Sequence, residues 1–219
     1  HKPPPLDYWS RRVVELTLRT DNLTKKLLGM QLTIEMIALT LFQHVRELRV
    51  EPVLAELLVY YERDEARHVG LGTQLVPRLM AESPLHEKVS VALFQLELLA
   101  SSVFSLKAME PDLLAIGVDP RDILAIGFRK QQEIHEVMRQ EFSSWPEDPP
   151  VNRIFHGLCE GLFPADGSKV PIHERIARAA MVIARAREGV LEIAERERNA
   201  RRAHATNGSA AQERTAAAE

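Results

Sequence analysis

Glu65 and His68, a carboxylate and an imidazole three residues apart in a helical pattern, project from one helix face and can grip a single metal ion. They sit in the run Tyr60-Tyr61-Glu62-Arg63-Asp64-Glu65-Ala66-Arg67-His68-Val69-Gly70. Upstream, one acid interrupts an otherwise apolar face. At about 100° per residue, Leu28, Leu32, Ala38, Leu39 and Phe42 fall within about 60° of Glu35. An inward carboxylate costs several kcal/mol unless it is protonated, paired or bound to a cation. Glu97 repeats the anomaly, flanked by Leu93, Phe94, Ala100, Ser101 and Phe104. A single Glu, then Glu-x-x-His, then a single Glu is the order in which a four-helix bundle assembles two adjacent metal positions. The bland reading of each acid is an Arg or Lys partner, or a solvated helix face.

Three further residues share the neighbourhood of Glu65. Asp64 stands one turn before His68, where a carboxylate can accept the proton of the imidazole N–H that faces away from a metal. Glu62 lies on the same face as a further ligand or base. Tyr61 is a redox-active neighbour or a packed aromatic.

The elements that must position these groups read as helices almost throughout. Glycine is sparse, and the prolines leave long intervals of helical rather than alternating periodicity. After an opening segment around residues 6–19, bundle helices are expected at about 21–48, 51–80, 84–109 and 120–142. Asp21 is a cap for the first, and Pro52 sits in the first turn of the second, where its missing N–H does little harm. Ser83-Pro84 and Asp119-Pro120 open the third and fourth. Trp145-Pro146-Glu147-Asp148-Pro149-Pro150 breaks the pattern. Two extra helices come next at about 151–162 and 171–202, and the small, polar stretch 203–219 reads as a disordered tail. The expectation is one all-α domain over residues 1–202.

Composition narrows the function classes. The 219 residues are 45% hydrophobic, enough for a sizeable core. A formal charge of −3 gives no basic footprint, so nucleic acid is not favoured as a partner. The single cysteine, Cys159, rules out an internal disulfide and a cysteine-built metal cage within the chain, and it fits a reducing cytoplasm. No stretch approaches the roughly eighteen to twenty uninterrupted apolar residues of a membrane span. An initial His1 rather than methionine fits a trimmed, longer parent chain. Ile172, Ile176, Ala179, Ile183 and Leu191 form a seam on the last helix, compatible with packing on the bundle or with a homodimer.

Leu32-Thr33-Ile34-Glu35-Met36-Ile37-Ala38-Leu39, followed by Arg63-Asp64-Glu65-Ala66-Arg67-His68-Val69-Gly70-Leu71-Gly72, resembles the ferritin-like di-iron carboxylate superfamily. The wording is closer to oxygenases of the p-aminobenzoate N-oxygenase and ribonucleotide-reductase small-subunit groups than to storage ferritins. The likeness spans roughly residues 21–142. It implies a ferritin-like four-helix bundle and two iron ions, with manganese as an alternative, ligated by Glu35, Glu65, His68 and Glu97. It also implies a second Glu-x-x-His on the fourth helix. The chain offers Arg129-Lys130-Gln131-Gln132-Glu133-Ile134-His135-Glu136 instead. Gln132 and His135 have the right spacing, but the apolar face of Leu124, Phe128, Met138 and Phe142 centres nearer Gln131 and His135. His135 and Gln131 are therefore the nearest counterparts, and the missing anionic ligand weakens the second metal position. His156 and Glu160, one turn apart near Cys159, could donate a replacement, although packing is the commoner role for such a helix.

The resemblance implies a non-haem oxidoreductase that activates dioxygen to oxidise a small organic substrate, supplied by an electron donor. Two other readings fit the same residues. One is ferritin-like Fe(II) oxidation, and the other is a metal-depleted helical scaffold or binding protein.

Overall fold

In a computed structural model, residues 5–49, 51–141, 150–164 and 170–216 are described. Helix is the only regular structure among them. The opening helix α1 spans Tyr8–Arg19 and is capped by Asp7, which accepts from the backbone N–H groups of Trp9 and Ser10. Then come α2 (Leu23–Gly29), a π-helical turn (Met30–Ile34) and α3 (Glu35–Leu48), together covering the range expected of the first long helix. Its cap is Asn22 rather than Asp21. The Asn22 side chain accepts from the Lys25 N–H at 2.9 Å, one residue later than the sequence pattern suggests.

Helix α4 (Pro52–Glu82) begins where Glu51 caps the N–H groups of Val53 and Leu54, with Pro52 pre-set for the first turn. Ser83 and Pro84 then turn the chain into α5 (Leu85–Ala115). The sequence pattern stops this helix at Met109, before Pro111, but it continues for two more turns. Leu113 is buried with Val118 and Ile123, and that anchorage outweighs the single helical hydrogen bond that Pro111 removes. The helix ends at Gly117, whose φ of 81° is left-handed, and Val118 N–H reaches back to Leu113 C=O at 2.9 Å. Helix α6 (Pro120–Glu141) starts under Asp119, which accepts from Arg121 N–H. Phe142, the Met138 side chain and the break at residues 145–149 lie outside the described residues.

The C-terminal part comprises α7 (Pro150–Leu162) and α8 (Ile172–Ala216). The stretch read as a tail from 203 is helical to Ala216. Its alanine, arginine and glutamate content favours helix wherever the preceding turns already supply a nucleus.

Packing divides into two regions. The antiparallel pair α3 and α4 is flanked by α6, which touches both. Helix α5 is enclosed by α1, α2, α7 and α8 and also meets α6. One core cluster joins Val13, Leu28, Val76, Val91, Phe94 and Leu98 across α1, α2, α4 and α5. Another joins Leu96, Ala100 and Val103 to Phe155, Leu158, Leu162 and Ala179. Helix α5 is thus buried on more than one side. By length and composition it is also apolar enough to cross a membrane, the one such helix among the described residues. Here its apolar sides serve the two core clusters.

Candidate metal centre

The π-helical turn places the first acid. Its extra residue per turn rotates the helix beyond it, and Glu35 comes directly after, with Glu35 N–H bonded to Met30 C=O. Thr33 supports the widened turn by donating its hydroxyl to Leu28 C=O at 3.0 Å. Helix α4 can approach because residue 72 has no side chain. A Cβ built there would lie 2.8 Å from Gln31 Cβ and 2.8 Å from Leu32 Cδ2. His68 and Glu65 lie on the same side of α4, one and two turns away.

The result is a three-residue group. Ligand atoms of Glu35, Glu65 and His68 all lie within 4.8 Å of one another. His68 Nδ1 is 3.4 Å from Glu65 Oε2 and 3.7 Å from Glu35 Oε1. The glutamate side chains are 16% and 18% exposed, and the histidine is 48% exposed. The group therefore sits at an edge, closed on the carboxylate side and open at the imidazole. The fully dry interior expected from the helix-face pattern is replaced by this half-open arrangement.

Burial and the neighbouring carboxyl push Glu35 up to about 7. Desolvation is the largest cause, followed by the hydrogen bond and repulsion from Glu65; Asp64 adds to the rise, and His68 opposes it. Below about pH 7 the Glu35 carboxyl therefore holds a proton that it can direct at Glu65. A divalent ion can take the place of that proton, and two carboxylates with one imidazole form a hard, mixed oxygen and nitrogen donor set suited to iron(II) or manganese(II). Three such donors could hold one ion.

The remaining candidates are placed differently. Glu97 lies outside that three-residue group: its side chain is 45% exposed and is held by Arg12, whose Nε donates at 3.0 Å and whose Nη2 makes a second contact. The sequence pattern puts Glu97 on the inward face because α5 is apolar on several sides, but the face it occupies is the one covered by α1. Trp9 stacks on Phe104 at 4.8 Å and Ser10 meets Ser105 at 2.6 Å along that same contact. Glu62 is taken by Arg46, Nε to Oε1 at 2.6 Å. Asp64 is exposed and lies 3.5 Å from Arg67, rather than serving as a buried partner of His68. Tyr61 is half exposed and its ring lies 5.9 Å from that of Phe42, a packing role.

His135 and Gln131 are both half-buried on α6. Among the described residues, the histidine, cysteine, aspartate and glutamate side chains that converge tightly enough for a metal are Glu35, Glu65 and His68, without His135. His156 and Glu160 do pair, at 3.2 Å, but both are exposed. Burial pushes the Cys159 thiol up to about 12, so it is an inert packing group.

Sequence reasoning missed three features that decide which acids converge: Arg12, Arg46 and the π-helical turn. Arg12 and Arg46 carry no signal that ties them to acids 85 and 16 residues away. The π-helical turn has only a weak trace, the Thr33 hydroxyl near a glycine. Compared with protein-family models, curated proteins and solved structures, the chain matches none.

Proposed function

We propose that the protein is a metal-dependent oxidoreductase that uses a non-haem iron or manganese ion and dioxygen to oxidise a small organic substrate. The observation that carries this reading is the convergence of Glu35, Glu65 and His68, with ligand atoms within 4.8 Å and one open side. The proposed architecture is a ferritin-like bundle, with α2–α3, α4, α5 and α6 as its four helices. Bundles of that class have one long crossover, whereas two residues, Ser83 and Pro84, join α4 to α5. The donor set therefore supports the proposal more strongly than the connectivity does.

When bound, the ion supplies a redox couple and coordination positions at which dioxygen can be reduced. The chain's own residues set the conditions. Glu35 and Glu65 offset the ion's charge, and Glu35 gives up any proton it holds when the ion binds. His68, the neutral donor, keeps the centre open towards solvent, the route for dioxygen and substrate. Gly72 and the π-helical turn hold Glu35 against α4, so the two carboxylates meet without a large rearrangement.

Protein purified without chelator should carry iron or manganese in a fixed ratio to the chain, and after reduction it should consume dioxygen. Glu65→Ala should lose the metal while far-UV circular dichroism shows most helicity kept. Metal content unchanged in that variant would mean that the acid has been misidentified.

A further inference from the structure

We infer that the centre holds one divalent cation and that protein cations, rather than a second metal, balance the other acids around it. This rests on the proposed metal role of Glu35, Glu65 and His68.

A second cation beside the first needs further anionic donors, since two dications a few ångströms apart repel strongly. Of the acids expected nearest that role, Glu97 and Glu62 are each held by an arginine of another helix, and Asp64 lies beside an arginine of its own. Glu97, on the expected third ligand position, is held by Arg12 on the α1 side of α5. Glu62, one turn before Glu65, is held by Arg46 of α3 at 2.6 Å and is largely buried. Asp64 faces Arg67. On α6, Glu136 accepts from Arg139 and Gln140.

Helix α6 brings a cation where a dinuclear centre would want an acid. Lys130 is half-buried there, within electrostatic reach of Glu62, Glu133 and Glu47. Arg46 and Lys130 thus supply positive charge from two helices to the Glu62 side of the centre. One divalent ion is neutralised by Glu35 and Glu65 together. A second would meet the positive charge of Arg46 and Lys130, and Glu62, the carboxylate next to Glu65 on that side, is already taken by Arg46.

The test is a titration of Mn(II) into the chelator-treated full-length chain, with bound metal measured by elemental analysis and free Mn(II) by electron paramagnetic resonance. The expected result is one Mn(II) per chain, with the spectrum of an isolated ion. Two ions per chain with an exchange-coupled spectrum would overturn the inference while leaving the metal-binding reading intact. No bound ion would overturn both. The variants Glu62→Gln and Glu97→Gln, which keep an oxygen for their arginines, should each retain the one-to-one ratio. Loss of the ion in either folded variant would make that acid a ligand and refute the assignment of its arginine as the balancing charge.

Discussion

Replacing Glu35 by glutamine separates the energetic cost of the centre from its use. In the unfolded chain the Glu35 carboxyl titrates near the ordinary 4.5, and in the folded, ion-free protein near 7. Between those values the folded state holds a proton that the unfolded state has lost, so folding stability falls as pH rises through this window and stays low above it. The difference corresponds to about 3 kcal/mol as an upper figure at pH 8, most of it desolvation and the contact with Glu65. A glutamine at this position has no proton to lose and can donate its amide hydrogens to Glu65. Ion-free Glu35→Gln should therefore be more stable than the parent at pH 8, and the advantage should shrink by about 2 to 3 kcal/mol on going down to pH 5. Urea denaturation of both proteins at the two pH values measures this directly. The same variant should bind metal far more weakly, because an anionic donor is gone. A stability difference independent of pH, or larger at pH 5, would refute the account of Glu35 as a strained acid that holds a proton below about pH 7.

Metal affinity itself should weaken as pH falls below about 7, where the ion must displace the proton on Glu35, and calorimetric titrations at pH 6 and 8 would reveal it. Gly72→Ala adds a Cβ 2.8 Å from Gln31 Cβ, an atom fixed to the π-helical backbone. Overpacking of about 1–3 kcal/mol against a helix-propensity gain of up to about 1 kcal/mol leaves a net loss centred on about 1 kcal/mol and at most about 3 kcal/mol. Undiminished stability would contradict the close approach of α4 to that turn. Arg12→Ala removes an ion pair whose partners are both well exposed, so its cost should stay under about 1 kcal/mol. Metal content should not change, and a loss would return Glu97 to the centre.

The all-helical fold and most helix bounds were legible because caps and prolines act locally. Asp119, Pro52 and Ser83-Pro84 do in the structure what their positions in the chain suggest. Continuations past Pro111 and past residue 202 were not legible, since each depends on what the helix docks against or grows from rather than on its own breakers. Pro77 lies inside α4, as the expected helix over 51–80 implied, with Val76 and Pro77 both buried.

The candidate site divides along the same physical line. The helix-face pattern anticipated the meeting of Glu35, Glu65 and His68, and the close packing of α3 on α4 brings their ligand atoms together. Glu97 could not be placed that way, because α5 is apolar on several sides and periodicity does not say which neighbour covers which side. Helix α1 covers the Glu97 side and brings Arg12 with it. An acid on an apolar helix is evidence for a metal only after the arginines of every packed neighbour have been placed, and that test sets Glu97 and Glu62 apart from Glu35 and Glu65. Glu35 and Glu65 face each other and an imidazole, with no arginine among the groups that shift Glu35, and their repulsion is relieved by a proton below about pH 7 or, in the proposed centre, by a metal ion.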